Sequence, residues 1–401
     1  MIYSLVASVV RVFLFTPCRE ECVIPQTRRD SIIYVMNNTA LTFTTIQRQT
    51  RTTLSLMILI LVMVVPLALS SCNTIVLPGN TDKNTMCQGN CRIGAGAQNV
   101  QLFIEPQDGY RVITNAIGGA QKFVWLEMYL LTENHVIHAL EEAAHRGVDV
   151  RVMLEQHPYG GGSVSVTKTL DRLSAAGVQT KATNPKFFLT HEKCLMIDTS
   201  VVYIMTANFT VSALGGSNNG TKNREYGIID HDPLDIQTAM EIFQADWNRS
   251  DVQVNNPNLV VSPLNSRNDF TALIDSARQT LLFEAEEMQD RGIEQAMIAA
   301  ARRGVHVLVV LPAPHDSSSN YNRDGINTIM QGGVQVREDG KLYMHAKLIV
   351  VDGQRAFVGS VNISTASLER NRELGIIVAD ADVISRLEKT FWQDWEDAQG
   401  V

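Results

Sequence analysis

Paired CxxC sites are missing from this 401-residue sequence. Its six cysteines, Cys18, Cys22, Cys72, Cys87, Cys91 and Cys194, follow no zinc-ligand spacing, so neither a structural metal nor another cofactor is expected. A surplus of positive charge is missing too. The chain holds 34 Lys and Arg against 42 Asp and Glu; 6 and 3 of these fall in residues 1–71, leaving 28 against 39, net −11, for the remainder. Affinity for nucleic acid comes mostly from neutralising phosphates, so nucleic acid is disfavoured as a partner.

Long hydrophobic runs are nearly absent. The one exception, residues 54–69 (LSLMILILVMVVPLAL), would make a helix of about 24 Å, short of the ~30 Å hydrocarbon core. Arg48 and Arg51 precede it and Ser70-Ser71-Cys72 follows, the order of a secretory signal. Leu69-Ser70-Ser71-Cys72 also resembles the bacterial lipobox, which makes Cys72 the expected lipidation site. An uncleaved membrane anchor is the alternative. Either reading puts the remainder outside the cytoplasm and tethered to a membrane. Met36 would leave a more ordinary start for such a signal than Met1 does. Residues 73–98, rich in Gly, Asn and Thr, read as a polar tether in which Cys87 and Cys91 could close a small disulfide loop. Cys194 sits in an apolar run and is expected as a buried thiol.

What is present is said twice. An apolar strand at residues 123–131 precedes a helix at 136–146, Gly147, and a second strand at 148–154. Residues 281–288, 293–303, Gly304 and 305–311 repeat the order. Strand, helix and strand with a short cap is a βαβ unit, which predicts parallel pairing. Asn223-Arg224-Glu225 returns as Asn371-Arg372-Glu373, and Phe243…Asp246-Trp247 returns as Phe391…Asp394-Trp395, both 148 residues later. Tandem duplication explains this, with halves at residues 99–254 and 259–398 and a boundary in the turn cluster at 255–258.

The chemistry lies in a second repeated feature. His191-x-Lys193-x-x-x-x-Asp198 and His345-x-Lys347-x-x-x-x-Asp352 both open a continuously apolar run, as in a buried central strand. His and Lys two residues apart face the same way on an extended strand. Seventeen residues after each His stands an Asn, Asn208 and Asn362, with a hydroxyl two before it, Thr206 and Ser360. Burying an imidazole and an ammonium twice by accident would be costly.

These paired motifs resemble those of the phospholipase D superfamily over roughly residues 99–398. The resemblance implies two α/β halves about a pseudo-two-fold axis, with mixed, largely parallel sheets flanked by helices and both motifs in one site. It implies cleavage or exchange of phosphodiesters through a phosphohistidine, without metal. His191 is then the nucleophile and His345 the general acid. Lys193, Lys347, Asn208 and Asn362 clamp the phosphoryl oxygens, and Glu225 and Glu373 hold the histidines. Asp198 and Asp352 are more often structural, and Thr206 and Ser360 play supporting parts. Met205 stands where the second motif has Gly359, and residues 215–222 are an insertion.

Export, a tether and acidic charge favour hydrolysis of phospholipid headgroups. Transphosphatidylation of the cardiolipin synthase kind comes second, and a metal-independent endonuclease third. A lipid- or phosphate-binding protein without turnover is opposed by intact motifs in both halves. Loops at residues 156–165 and 313–325 are candidate rims of the cleft. A monomer already carries both motifs.

Overall fold

Two strands joined by only a few residues can lie side by side only if they run in opposite directions, whereas a parallel neighbour needs a crossover of a dozen or more. Both kinds of connection occur here. A computed structural model describes residues 94–159, 165–216, 220–314 and 320–401. The apolar run, Cys72, Cys87 and Cys91 lie outside the described residues, as do the central parts of both rim loops and residues 217–219 of the insertion.

The first half runs β1 (Gln101–Glu105), α1 (Arg111–Gly119), β2 (Phe123–Met128), α2 (Asn134–His145), β3 (Asp149–Leu154), α3 (Val166–Ala175), β4 (Gln179–Ala182), β5 (Lys193–Ile197), β6 (Val201–Met205), β7 (Asn223–Asp230) and α4 (Pro233–Asn248). The second runs β8 (Leu259–Ser262), α5 (Ser266–Ser276), β9 (Thr280–Ala285), β10 (Met288–Gln289), α6 (Arg291–Arg302), β11 (His306–Pro312), α7 (Arg323–Gln331) and β12 (Gln335–Asp339). It continues through β13 (Tyr343–Met344), β14 (Lys347–Val351), β15 (Arg355–Gly359), β16 (Ile363–Ser364), α8 (Thr365–Glu369), β17 (Glu373–Val378), α9 (Ala381–Asp397) and β18 (Gln399–Gly400).

The sheet orders are β1-β7-β6-β5-β2-β3-β4 and β8-β17-β15-β14-β9-β11-β12-β18, the same arrangement apart from β18 and from β13, which pairs with β7 of the first sheet. The expected βαβ units are there: β2 and β3 pair in parallel, as do β9 and β11. The sheets are mixed, but antiparallel pairing predominates rather than parallel. Two of the antiparallel pairs follow directly from the turns at residues 198–200 and 352–354, which join β5 to β6 and β14 to β15 within three residues. Asp198, Thr199, Asp352 and Gly353 take positive φ there. Gly147 and Gly304, at φ +87° and +89°, end α2 and α6 in a conformation that glycine adopts without strain.

Three apolar clusters hold the halves. One lies between the first sheet and α1–α3, another between the second sheet and α5–α7. The third joins the halves, with Met196, Ile204 and Ile228 from one and Leu348, Val358 and Leu374 from the other, together with the inner faces of α4 and α9. The end of the polar segment is docked rather than free. Ala97 donates to the Ile377 carbonyl and accepts from the Ala379 amide, both at 2.9 Å.

Candidate active site

β5 and β14 are buried along their whole length, and each begins with the lysine of its motif. Two residues earlier come His191 and His345, and both imidazoles open into one cleft of ≈ 660 Å³ also lined by Asn208, Asn362, Tyr129, Tyr343 and Glu286. The halves meet reciprocally at its floor: Thr190 bridges in parallel to Arg372, and Met344 pairs with Arg224.

The carboxylates cross over. His191 Nδ1 lies 3.0 Å from Glu373 Oε2, in the second half, and His345 Nδ1 lies 2.9 Å from Glu225 Oε2, in the first. With Nδ1 held by a carboxylate, Nε2 of each ring is the nitrogen left for chemistry. Both carboxylates are themselves fixed. Glu225 accepts from Asn223 Nδ2 at 3.0 Å and from the Thr206 hydroxyl at 2.6 Å. Glu373 accepts from Asn371 Nδ2 at 3.0 Å and from the Ser367 hydroxyl at 2.6 Å. Ser367 therefore does in the second half what Thr206 does in the first. Ser360 instead exchanges hydrogen bonds with the backbone of Leu374.

Burial holds the His191 imidazole below the usual histidine range, with Glu373 working against it, so the ring favours its neutral form. Burial, and then the Lys347 ammonium, bring Lys193 down to about 7. Burial alone would raise Glu373, but His191 and Lys193 outweigh it and the carboxyl ends below its ordinary range. Each lysine also donates to the carbonyl of its own histidine, Lys193 to His191 at 2.6 Å and Lys347 to His345 at 2.7 Å.

Asp198 and Asp352 are not brought to the cleft. Asp198 accepts the backbone N–H groups of Gln121, Lys122 and Phe123, and Asp352 those of Arg278, Gln279 and Thr280. Each pins a strand start beside its turn. Residues 220–222 lead directly into β7.

Tyr129, Tyr343, Glu286 and Glu287 line the cleft and carry no motif signal. Tyr129 meets the His191 ring edge-on at 4.6 Å, and its hydroxyl, pushed up to about 12 by burial, accepts the Tyr159 amide. Glu286 receives Lys347 Nζ at 2.8 Å and the Tyr343 hydroxyl at 3.0 Å. Burial would raise Glu286, yet His345 and Lys347 hold it far below the carboxylate range. Glu287, raised by burial, completes the wall.

Among the described residues one group of acids, Glu127, Glu192 and Asp246, is close enough to hold a cation, with ligand atoms within 4.8 Å of one another. Asp246 is already paired with Arg372. Burial lifts Glu192 to about 8 and Glu127 well above its usual value, which favours the protonated form of both carboxyls.

The family model for "Cardiolipin synthase, PLD-like domain" matches residues 113–247 and 270–395, once per half. A cardiolipin synthase of Clostridium perfringens is 24% identical over 375 residues, covering 82% of this chain and 75% of that protein. Cardiolipin synthase A of Proteus mirabilis is 26% identical over 359 residues, covering 76% and 72%. The crystal structure of phosphatidylserine synthase from Haemophilus influenzae superposes with a TM-score of 0.58 at 11% identity, covering 76% of this chain and 88% of that one. Polyphosphate kinase from Porphyromonas gingivalis does so with a TM-score of 0.57 at 16% identity, covering 72% and 46%. At these identities the two structures share the fold.

Proposed function

The chain belongs to the phospholipase D-like family, and we propose that within it the protein is a phosphatidyltransferase of the cardiolipin synthase kind. The observation that carries the reaction type is the crossed pair, His191 on Glu373 and His345 on Glu225, with both rings in one cleft.

In this reading His191 Nε2 attacks the phosphorus of a phosphatidyl donor. A P–N bond forms, the P–O bond to the headgroup breaks, and His345 protonates the departing alkoxide. An acceptor alcohol then gives its proton to His345 and attacks phosphorus, which breaks the P–N bond and frees His191. The neutral bias of His191 suits the nucleophile. His345 has a carboxylate near each ring nitrogen, Glu225 at Nδ1 and Glu286 3.4 Å from Nε2.

Sequence alone favoured water as the acceptor. The relatives named cardiolipin synthase support a lipid alcohol instead. A lipid substrate is further supported at the mouth of the cleft, where Tyr159 and Phe188 are 70% and 54% exposed. Aromatic rings at a rim suit the boundary between water and acyl chains. A membrane tether through Cys72 or the apolar run at residues 54–69 belongs to the same proposal; no helix among the described residues is long and apolar enough to cross a membrane.

The test is incubation of the protein with phosphatidylglycerol vesicles in EDTA, with His191→Ala as control. Cardiolipin and free glycerol are expected. Phosphatidate and headgroup without cardiolipin would return the reading to hydrolysis, and turnover of neither would remove phospholipids as substrate.

A further inference from the structure

Two donors of the second half converge on one carboxylate oxygen, with an imidazole nitrogen beside them. Lys347 Nζ donates to Glu286 Oε2 at 2.8 Å, Asn362 Nδ2 reaches it at 3.4 Å, and His345 Nε2 lies 3.4 Å away. The Tyr343 hydroxyl donates to the other oxygen at 3.0 Å. Imidazole, ammonium and amide are the groups that this half offers to a phosphoryl oxygen, and a carboxylate oxygen already receives them.

The first half differs. Ala285 pairs with Lys347 as Met128 pairs with Lys193, so the residue matching Glu286 is Tyr129. Lys193 lies 5.2 Å from the Tyr129 ring centre and donates to the His191 carbonyl. The duplicated halves thus differ in charge where their donors meet. An anion entering the second set of donors meets a fixed negative charge at contact distance.

We propose that Glu286 is a resident anion in the second phosphoryl-oxygen subsite, a tethered competitor that an entering phosphodiester displaces from Lys347, His345 and Asn362. It sets the affinity of the cleft for phosphate groups and speeds release of phosphorylated product. The inference rests on reading the cleft as a phosphoryl-transfer site, whichever lipid it handles.

Calorimetric titration of the full chain with inorganic phosphate tests it directly. Glu286→Gln keeps the shape and removes the charge, and phosphate should bind about tenfold tighter or more. For bis(p-nitrophenyl) phosphate, KM should fall by more than kcat changes. Glu286→Tyr, which installs the first half's residue, should shift phosphate affinity the same way, with thermal melting reporting that both variants fold. Unchanged or weaker phosphate binding in the folded variants would overturn the proposal. So would a collapse in kcat at unchanged phosphate affinity, which would make Glu286 a proton-transfer group. Tighter phosphate binding without lipid turnover would remove the proposed function and leave this inference standing.

Discussion

Arg224 of the first half closes a two-pronged ion pair on Asp394 of the second, Nε to Oδ2 at 2.5 Å and Nη2 to Oδ1 at 2.8 Å. Arg372 returns the grip on Asp246, at 2.7 and 3.3 Å. Each arginine immediately precedes the glutamate that holds the opposite half's histidine, so these pairs anchor the strands that deliver Glu225 and Glu373. All four side chains are buried.

Removing one partner should therefore cost far more than the pair is worth. Asp394→Leu strands the Arg224 guanidinium without its carboxylate and should destabilise the fold by about 3–5 kcal/mol in urea unfolding. Combining it with Arg224→Met should recover most of the loss. A single mutant as stable as the parent would show that the pair does not bind the halves together.

The proposed division of labour between the histidines predicts a trapped intermediate. Bis(p-nitrophenyl) phosphate has a leaving group that departs without protonation, so His345→Ala should still form the first covalent bond. It should then be slow to resolve it, because His345 also activates the acceptor. Mass spectrometry should find a phosphoryl adduct on His191 in that variant and none in His191→Ala. An adduct on His345 in the His191→Ala protein would reverse the roles.

The duplication, both βαβ units and the His, Lys and Asn of each half were legible because they recur at fixed offsets. Recurrence could not show that His191 takes Glu373 rather than Glu225: two matching halves look the same whether partners are shared or exchanged. Nor could it show the antiparallel turns, since Asp198 and Asp352 read as motif ends rather than as caps for a strand start. Glu286 was hidden for the opposite reason. It breaks the repeat, with Tyr129 as its counterpart, and lies among three acids in LLFEAEEM that pattern alone does not separate. Glu284 is in fact a buried acid taking the Tyr226 hydroxyl, Glu286 faces the cleft and Glu287 lines its wall.

The pH dependence of kcat/KM for a soluble diester should be narrow. His191 lies below the usual histidine range, so protonation disables the nucleophile only toward acid pH. Lys193, at about 7, is charged below that pH and neutral above it, so the clamp weakens as pH rises. Activity should fall on the alkaline side with a limb near pH 7, approaching tenfold per unit well beyond it. Lys193→Arg stays charged throughout and should move that limb upward. An alkaline limb left in place by the arginine variant would assign it to another group.

Lipid chemistry at the cleft predicts that its rim matters for vesicles more than for small diesters. Tyr159 and Phe188 expose large apolar surface on the cleft that holds His191, and under the proposed function an acyl-bearing substrate would meet them on leaving the bilayer. An aromatic ring that trades water for acyl chains gains on the order of 1–2 kcal/mol. Replacing both by serine should therefore cut the rate on sparse phosphatidylglycerol vesicles by about tenfold or more, with little change on bis(p-nitrophenyl) phosphate. A fall of equal size on both substrates would place the two rings in the general architecture of the cleft. No fall on either would leave the lipid reading without its structural support at the rim, and shorter phosphodiesters would become the substrates to try.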